Sequence, residues 1–184
     1  MNSIRVGITG ALLALPLLIF ATPSATAASS PQLQAAADAC FGKTSSTWPA
    51  MISACSEVLK AKLRPEQRAA ALYNRGAAYL ETGAGDKALA DFNAALKIMP
   101  EFARALQGRG TLYVSQHKYA EAVTDLTHVV KLGPKSTVAF NNRALAYLGL
   151  GKGKEAIEDL TTSIELDQKD ASAYATRGSA YISI

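Results

Sequence analysis

Histidine and cysteine are scarce in this chain of 184 residues, two of each, and tryptophan occurs once. Two cysteines cannot complete a tetrahedral zinc site, and neither His117 nor His128 lies near them in sequence. There is no C-x-x-C-H run for covalent haem. Neither a nucleophile elbow nor a phosphate-cradling glycine motif is present. General acid–base or nucleophilic chemistry needs a base positioned beside its partner, and two isolated histidines that do not recur with any period supply none. The expectation is a protein that is not an enzyme and carries no metal or cofactor. Charge is also sparse: 18% of residues are charged, the formal net charge is +4, and no basic stripe or polybasic cluster stands out. That argues against nucleic acid as a partner.

A long apolar run is present only at the start. Residues 1–27 hold one charge, Arg5, then an apolar stretch from about Val6 to Ala21, then Ala25-Thr26-Ala27. This order reads as a secretory signal peptide with an A-x-A cleavage site. A spanning helix needs roughly 20 apolar residues, whereas this run is shorter and contains Pro16. The expectation is a periplasmic or secreted protein with no membrane insertion after signal cleavage. Loss of Arg5 would lower the formal charge from +4 to +3. Export changes how the cysteines are read, because disulfides persist in oxidising compartments. Cys40 and Cys55 would then be bridged, stapling two short antiparallel helices over Pro31–Phe41 and Pro49–Lys62 across a loop at residues 42–49. A bridge closing this loop contributes about 3 kcal/mol on the chain-entropy account. The alternative is two buried thiols.

What fills the rest of the chain is a period. Arg75, Arg109, Arg143 and Arg177 stand 34 residues apart, as do Tyr79, Tyr113, Tyr147 and Tyr181, and Asp91, Asp125 and Asp159. Self-similarity at such a spacing marks one supersecondary unit stacked repeatedly, each copy burying a face it could not bury alone. Units run over 69–102, 103–136 and 137–170, with residues 171–184 forming half of a fourth or a capping helix. In the first unit Leu72, Gly76 and Tyr79 mark one amphipathic stretch, and Ala88, Leu89, Phe92, Ala95 and Leu96 another. Gly83-Ala84-Gly85 separates them, and Pro100 closes the unit. Each unit is a helical hairpin.

The places held by Leu72, Gly76, Tyr79, Ala88, Phe92, Ala95 and Pro100 resemble the tetratricopeptide repeat. Leu106, Gly110, Tyr113, Ala122, Leu126 and Pro134 repeat most of them. Phe140, Ala144, Tyr147, Ala156 and Leu160 follow in the third unit, where Ser163 and Gln168 replace the expected Ala and Pro. The fourth keeps Tyr174, Gly178 and Tyr181. The resemblance implies an all-α, right-handed superhelical solenoid of antiparallel hairpins over 69–184. Counting back one period lands on Ala54, Val58 and Ala61, so residues 28–68 read as a degenerate capping hairpin. Small residues at Gly76, Gly110 and Ala144 would let the helices of a hairpin close onto Ala88, Ala122 and Ala156.

An offset of sixteen residues crosses the hairpin turn, so Arg75 can meet Asp91, Arg109 can meet Asp125, and Arg143 can meet Asp159. Pairing with the following unit, Asp91 to Arg109, fits as well. Either way the pairs read as structural, with bidentate geometry favoured. Arg177 has no later aspartate. In relatives of this kind, function is read from the concave face made by the first helix of each hairpin. Projected here, that face carries Tyr73 and Asn74, then Arg104, Gln107, Gly108 and Thr111, then Asn141, Asn142 and Leu145. Asn and Gln both donate and accept, which suits the backbone of an extended peptide. A specialised branch of the family clamps chaperone carboxylates with lysines and an arginine. Tyr73, Val138 and Asn142 stand at those places here, which disfavours that role. The expected partner is another protein or a peptide. The second expectation is an assembly subunit that self-associates through residues 171–184, where Ile182 and Ile184 are poor solvent-facing choices.

Overall fold

The computed structural model of the chain describes residues 30–44, 46–133 and 135–184. The expected signal peptide at 1–27, Ser45 and Pro134 lie outside the described residues. Those residues form nine helices and no strand: α1 (Pro31–Cys40), α2 (Trp48–Val58), α3 (Pro65–Glu81), α4 (Gly85–Ile98), α5 (Ala103–Ser115), α6 (Tyr119–Leu132), α7 (Thr137–Gly149), α8 (Gly153–Leu166) and α9 (Ala171–Ile182). Several starts are written locally. Pro31 and Pro65 sit at the first helical turn, where a missing N–H costs nothing. Ser136 accepts from the Ala139 amide at 3.2 Å, and Asp170 accepts from Ser172 and Ala173 at 3.0 and 3.2 Å, each satisfying amides that an α-helix leaves unpaired.

The long hairpins close by one device. Gly83, His117 and Gly151, 34 residues apart, occupy the left-handed region at φ of 75°, 58° and 71°. The amide after each one bonds back to the ladder tyrosine: Ala84 to Tyr79 at 2.8 Å, Lys118 to Tyr113 at 2.9 Å and Lys152 to Tyr147 at 2.8 Å. This is the six-to-one bond of a Schellman cap. Histidine at 117 therefore fills a place that the other two hairpins give to glycine.

The first helices α3, α5 and α7 each pack on their own second helix and on the second helix of the hairpin before, while α1 packs on α2 and α9 on α8. First helices also touch one another, α1 with α3, α3 with α5, α5 with α7 and α7 with α9, whereas no contacts join the second helices to one another among the described residues. First helices therefore crowd on the inner side of the stack and second helices splay on the outer side. Phe92, Leu126 and Leu160, again 34 residues apart, are fully buried between them.

The small residues of the first helices do stand where the hairpin closes tightly, against a large side chain of the second helix. A Cβ on Gly76 would stand 2.9 Å from Phe92, and one on Gly110 would stand 2.7 Å from Leu126. The glycines make room for the large residue sixteen positions on, and Ala88 and Ala122 are fully buried in the same core clusters as Phe92 and Leu126. At the third unit the unexpected Ser163 is fully buried, and its hydroxyl donates to the Thr137 carbonyl at 3.5 Å.

The first hairpin is joined by the Cys40–Cys55 disulfide, with Cα atoms 4.7 Å apart and both residues fully buried. Around it pack Leu33, Ala37, Phe41, Met51 and Ala54. Trp48 and Pro49, expected in the loop, instead form the first turn of α2. The hairpin is also out of step with the strict period. Ser56, rather than Leu59 at the in-phase place, meets the arginine of the next unit.

Candidate functional site: the inner helix face

The arginine ladder takes the within-hairpin arrangement. Arg75 donates to both carboxylate oxygens of Asp91 at 2.7 and 2.8 Å, Arg109 to Asp125 at 2.7 and 2.8 Å, and Arg143 to Asp159 at 2.7 and 2.7 Å. The aspartates are only 5–6% exposed, so these are desolvated pairs with bidentate geometry. Hydrogen bonding to the partner aspartate holds each guanidinium above its ordinary pKa, against the opposing effect of burial. A third nitrogen reaches back to the preceding hairpin: Arg75 to Ser56 at 3.1 Å, Arg109 to Asn93 at 2.6 Å, and Arg143 to Thr127 at 3.1 Å. Arg177 keeps only this backward bond, to Thr161 at 3.2 Å.

The polar row of the inner face is more internally bonded than its sequence suggests. Asn74 donates to the Cys40 carbonyl at 3.0 Å, tying α3 to the disulfide. Asn142 donates to the Thr111 hydroxyl at 2.9 Å. Gln107 accepts from the Ser136 hydroxyl at 2.9 Å, and Asn141 donates to Asp170 at 2.6 Å. The last two are one relationship repeated, since both link a first helix to the cap residue 29 positions on. In the first unit the same two places hold Tyr73 and Phe102, whose rings meet edge to face at 5.5 Å. Sequence reading missed this link, although the 34-residue recurrence of Phe102, Ser136 and Asp170 carried the signal. Bonding from Asn141, and then from the Ala173 and Ser172 amides, holds the Asp170 carboxyl below its ordinary value. The Asn141 Oδ1 is buried and finds no partner among the described residues.

Three side chains on this face stay open. Arg104 is exposed, and its guanidinium lies 5.4 Å from the Tyr73 ring centre and 5.5 Å from that of Phe102. Val138 is 50% and Leu145 41% exposed. These two stand seven residues apart on α7, on one side of the helix. Gly108 is closed from below, because a Cβ there would come within 2.8 Å of Phe92. His117 sits apart at the α5–α6 turn, where its Nδ1 pairs with the Tyr119 hydroxyl at 2.6 Å. Among the described residues no group of three or more His, Cys, Asp and Glu side chains is placed to hold a metal, and no helix is long and apolar enough to cross a membrane.

Two tetratricopeptide-repeat family profiles match the sequence, one over residues 69–102 and one over 108–181. The chain belongs to the tetratricopeptide-repeat family. Among solved structures it is similar to MamA residues 41 to the end from Desulfovibrio magneticus RS-1, at 22% identity over 84% of this chain and 86% of that one, with a TM-score of 0.71. The first repeat domain of Spaghetti (RPAP3), solved with the HSP90 peptide SRMEEVD, matches at 25% identity over 64% of this chain and 93% of that one, with a TM-score of 0.62. The Arabidopsis OM64 repeat domain matches at 19% identity over 66% of this chain and 100% of that one, with a TM-score of 0.64. No curated protein matches the sequence significantly.

Proposed function

We propose that the protein is a non-catalytic interaction scaffold of the cell envelope that holds an extended peptide segment of another protein along its inner helix face. The observation that carries this reading is the inner face itself. Arg104, Val138 and Leu145 stay open on helices that touch one another, while the intervening polar row is fixed in place by its own hydrogen bonds. A rigid face binds with little ordering cost. Further support comes from family membership and from the peptide bound to the RPAP3 domain. The envelope setting rests on the apolar run and A-x-A site of residues 1–27, and the buried Cys40–Cys55 bridge suits an oxidising compartment.

Photo-crosslinking from Val138 and Leu145 in intact cells tests the groove. Capture of a partner there, lost when the probe moves to Lys131 or Lys154 on the second helices, is the expected result. Capture only from the second helices would sink the proposal. A second reading, assembly through α9, is favoured by the exposure of Tyr181 and Ile182. Sedimentation that stays monomeric at high concentration, unaltered by Ile182→Glu, would remove its self-association form.

A further inference from the structure

We infer that Arg104, presented by Tyr73 and Phe102, is the subsite of the groove that receives an acidic side chain of the bound peptide, followed about three positions along by an apolar one. This rests on the groove reading and names the partner's chemistry. From Arg68 onward every other arginine donates hydrogen bonds within the fold: Arg68 to the Leu59 and Ala61 carbonyls, three ladder arginines to aspartates, and Arg177 to Thr161. The Arg104 side chain takes part in no hydrogen bond or ion pair among the described residues. It is nonetheless positioned, because two rings that brace each other at 5.5 Å both stand within cation–π range of its guanidinium. Tyr73 is itself braced by Phe92, ring centres 6.2 Å apart. A cation–π contact uses no lone-pair acceptor, so the guanidinium N–H groups stay available for a planar acceptor such as a carboxylate. No other unit carries this arrangement: Val138 and Ser172 replace Arg104, and Ser136 and Asp170 replace Phe102.

Val138 occupies the place of Arg104 one unit on, and α5 touches α7. Packed helices lie about 8–10 Å apart, and an extended chain advances about 3.3 Å per residue. A peptide crossing from one helix to the next therefore moves about three residues between Arg104 and the apolar pair Val138 and Leu145. The fitting segment is an acidic residue, two spacers and an aliphatic residue.

The test is an array of acetylated, amidated octapeptides in which each position carries Glu, Gln, Lys, phosphoserine, Leu or Ser, probed with the full mature chain and with Arg104→Ala. The end groups leave side chains as the only carboxylates. The native chain is expected to select Glu with Leu about three positions away. Glu-to-Gln replacement should weaken binding roughly tenfold or more, as for loss of a charge-assisted hydrogen bond. Arg104→Ala should erase the preference for Glu over Gln while keeping that for Leu. Because Arg104 is exposed, an unchanged melting curve should show that this variant folds. Selection of Lys or phosphoserine over Glu, or a Glu preference that persists in Arg104→Ala, overturns the inference while leaving a peptide groove intact. Binding of no peptide, with no crosslinks from Val138 or Leu145, overturns the groove reading as well.

Discussion

The ring of Phe92 lies directly beneath Gly108, its Cζ only 2.8 Å from where a Cβ would stand. One unit later Leu126 and Asn142 hold the same two places. A smaller core residue there goes with a groove residue that has a side chain. Gly108→Ala should cost about 1–3 kcal/mol by overpacking. In the Phe92→Leu background the same change should cost at least about 1 kcal/mol less, because residues in contact are not additive. Urea unfolding of the four proteins checks this, and simple additivity would show that the ring does not set the groove floor.

Arg143 and Asp159 form the most shielded of the three ladder pairs, with side-chain exposures of 13% and 7%. Arg143→Met would leave a buried carboxylate uncompensated, a change that typically costs about 3–5 kcal/mol. Exchange of both partners for apolar residues should cost much less than that. Thermal melting in which Arg143→Met matches the native chain would remove the structural role assigned to the ladder.

His117 adopts φ of 58° where the sister turns use glycine. His117→Gly should stabilise the protein by about 0.5–1 kcal/mol, since a left-handed conformation costs a residue with a Cβ about 1–2 kcal/mol and the exposed bond to Tyr119 offsets only part of that. A fall in melting temperature would mean that the His117–Tyr119 pair outweighs the backbone term.

Asp170 has its carboxyl held below the ordinary value of 3.8, first by the Asn141 amide. A lowered folded-state pKa means the group contributes stability above its unfolded value, and that contribution is lost as pH falls through the lower folded value. Asn141→Ala should move the Asp170 titration upward in a carboxyl-detected NMR experiment and flatten the acid limb of the stability profile below about pH 4. An unchanged Asp170 titration would contradict the hydrogen bond.

Cys40 and Cys55 close the first hairpin and also fix the carbonyl on which Asn74 rests. The double alanine variant should lose about 3 kcal/mol. Amide exchange should rise first in α1, a 10-residue helix too short to persist alone. Equal loss of protection across all helices would show that the bridge acts on the whole stack rather than on this unit.

The period made the architecture readable because each of its residues answers a steric demand that recurs: Gly76 opposite Phe92, Gly110 opposite Leu126, and arginines sixteen residues before aspartates. The cysteines were readable for a similar reason, since two helix-like runs flank a short loop. The groove was less so. An asparagine facing solvent and one bonded to a neighbouring carbonyl, carboxylate or hydroxyl look alike in a sequence, so Asn74, Asn141 and Asn142 gave no sign that their amides were engaged. The register of the first hairpin was also hidden, because the loop and the start of α2 at Trp48 shift Ser56 into a place that strict counting gives to Leu59.

The backward bonds of the ladder give the stack a direction. Arg75, Arg109 and Arg143 each take a charge partner from their own hairpin and one further acceptor from the hairpin before, and Arg177 reaches backward alone; among the described residues none bonds to the hairpin after. Disturbing one hairpin therefore weakens the arginine of its C-terminal neighbour directly, while its N-terminal neighbour keeps a full set of ladder bonds. Within the ladder, the loss of bonds at one unit is therefore passed on toward the C-terminus and not back, as through a ratchet.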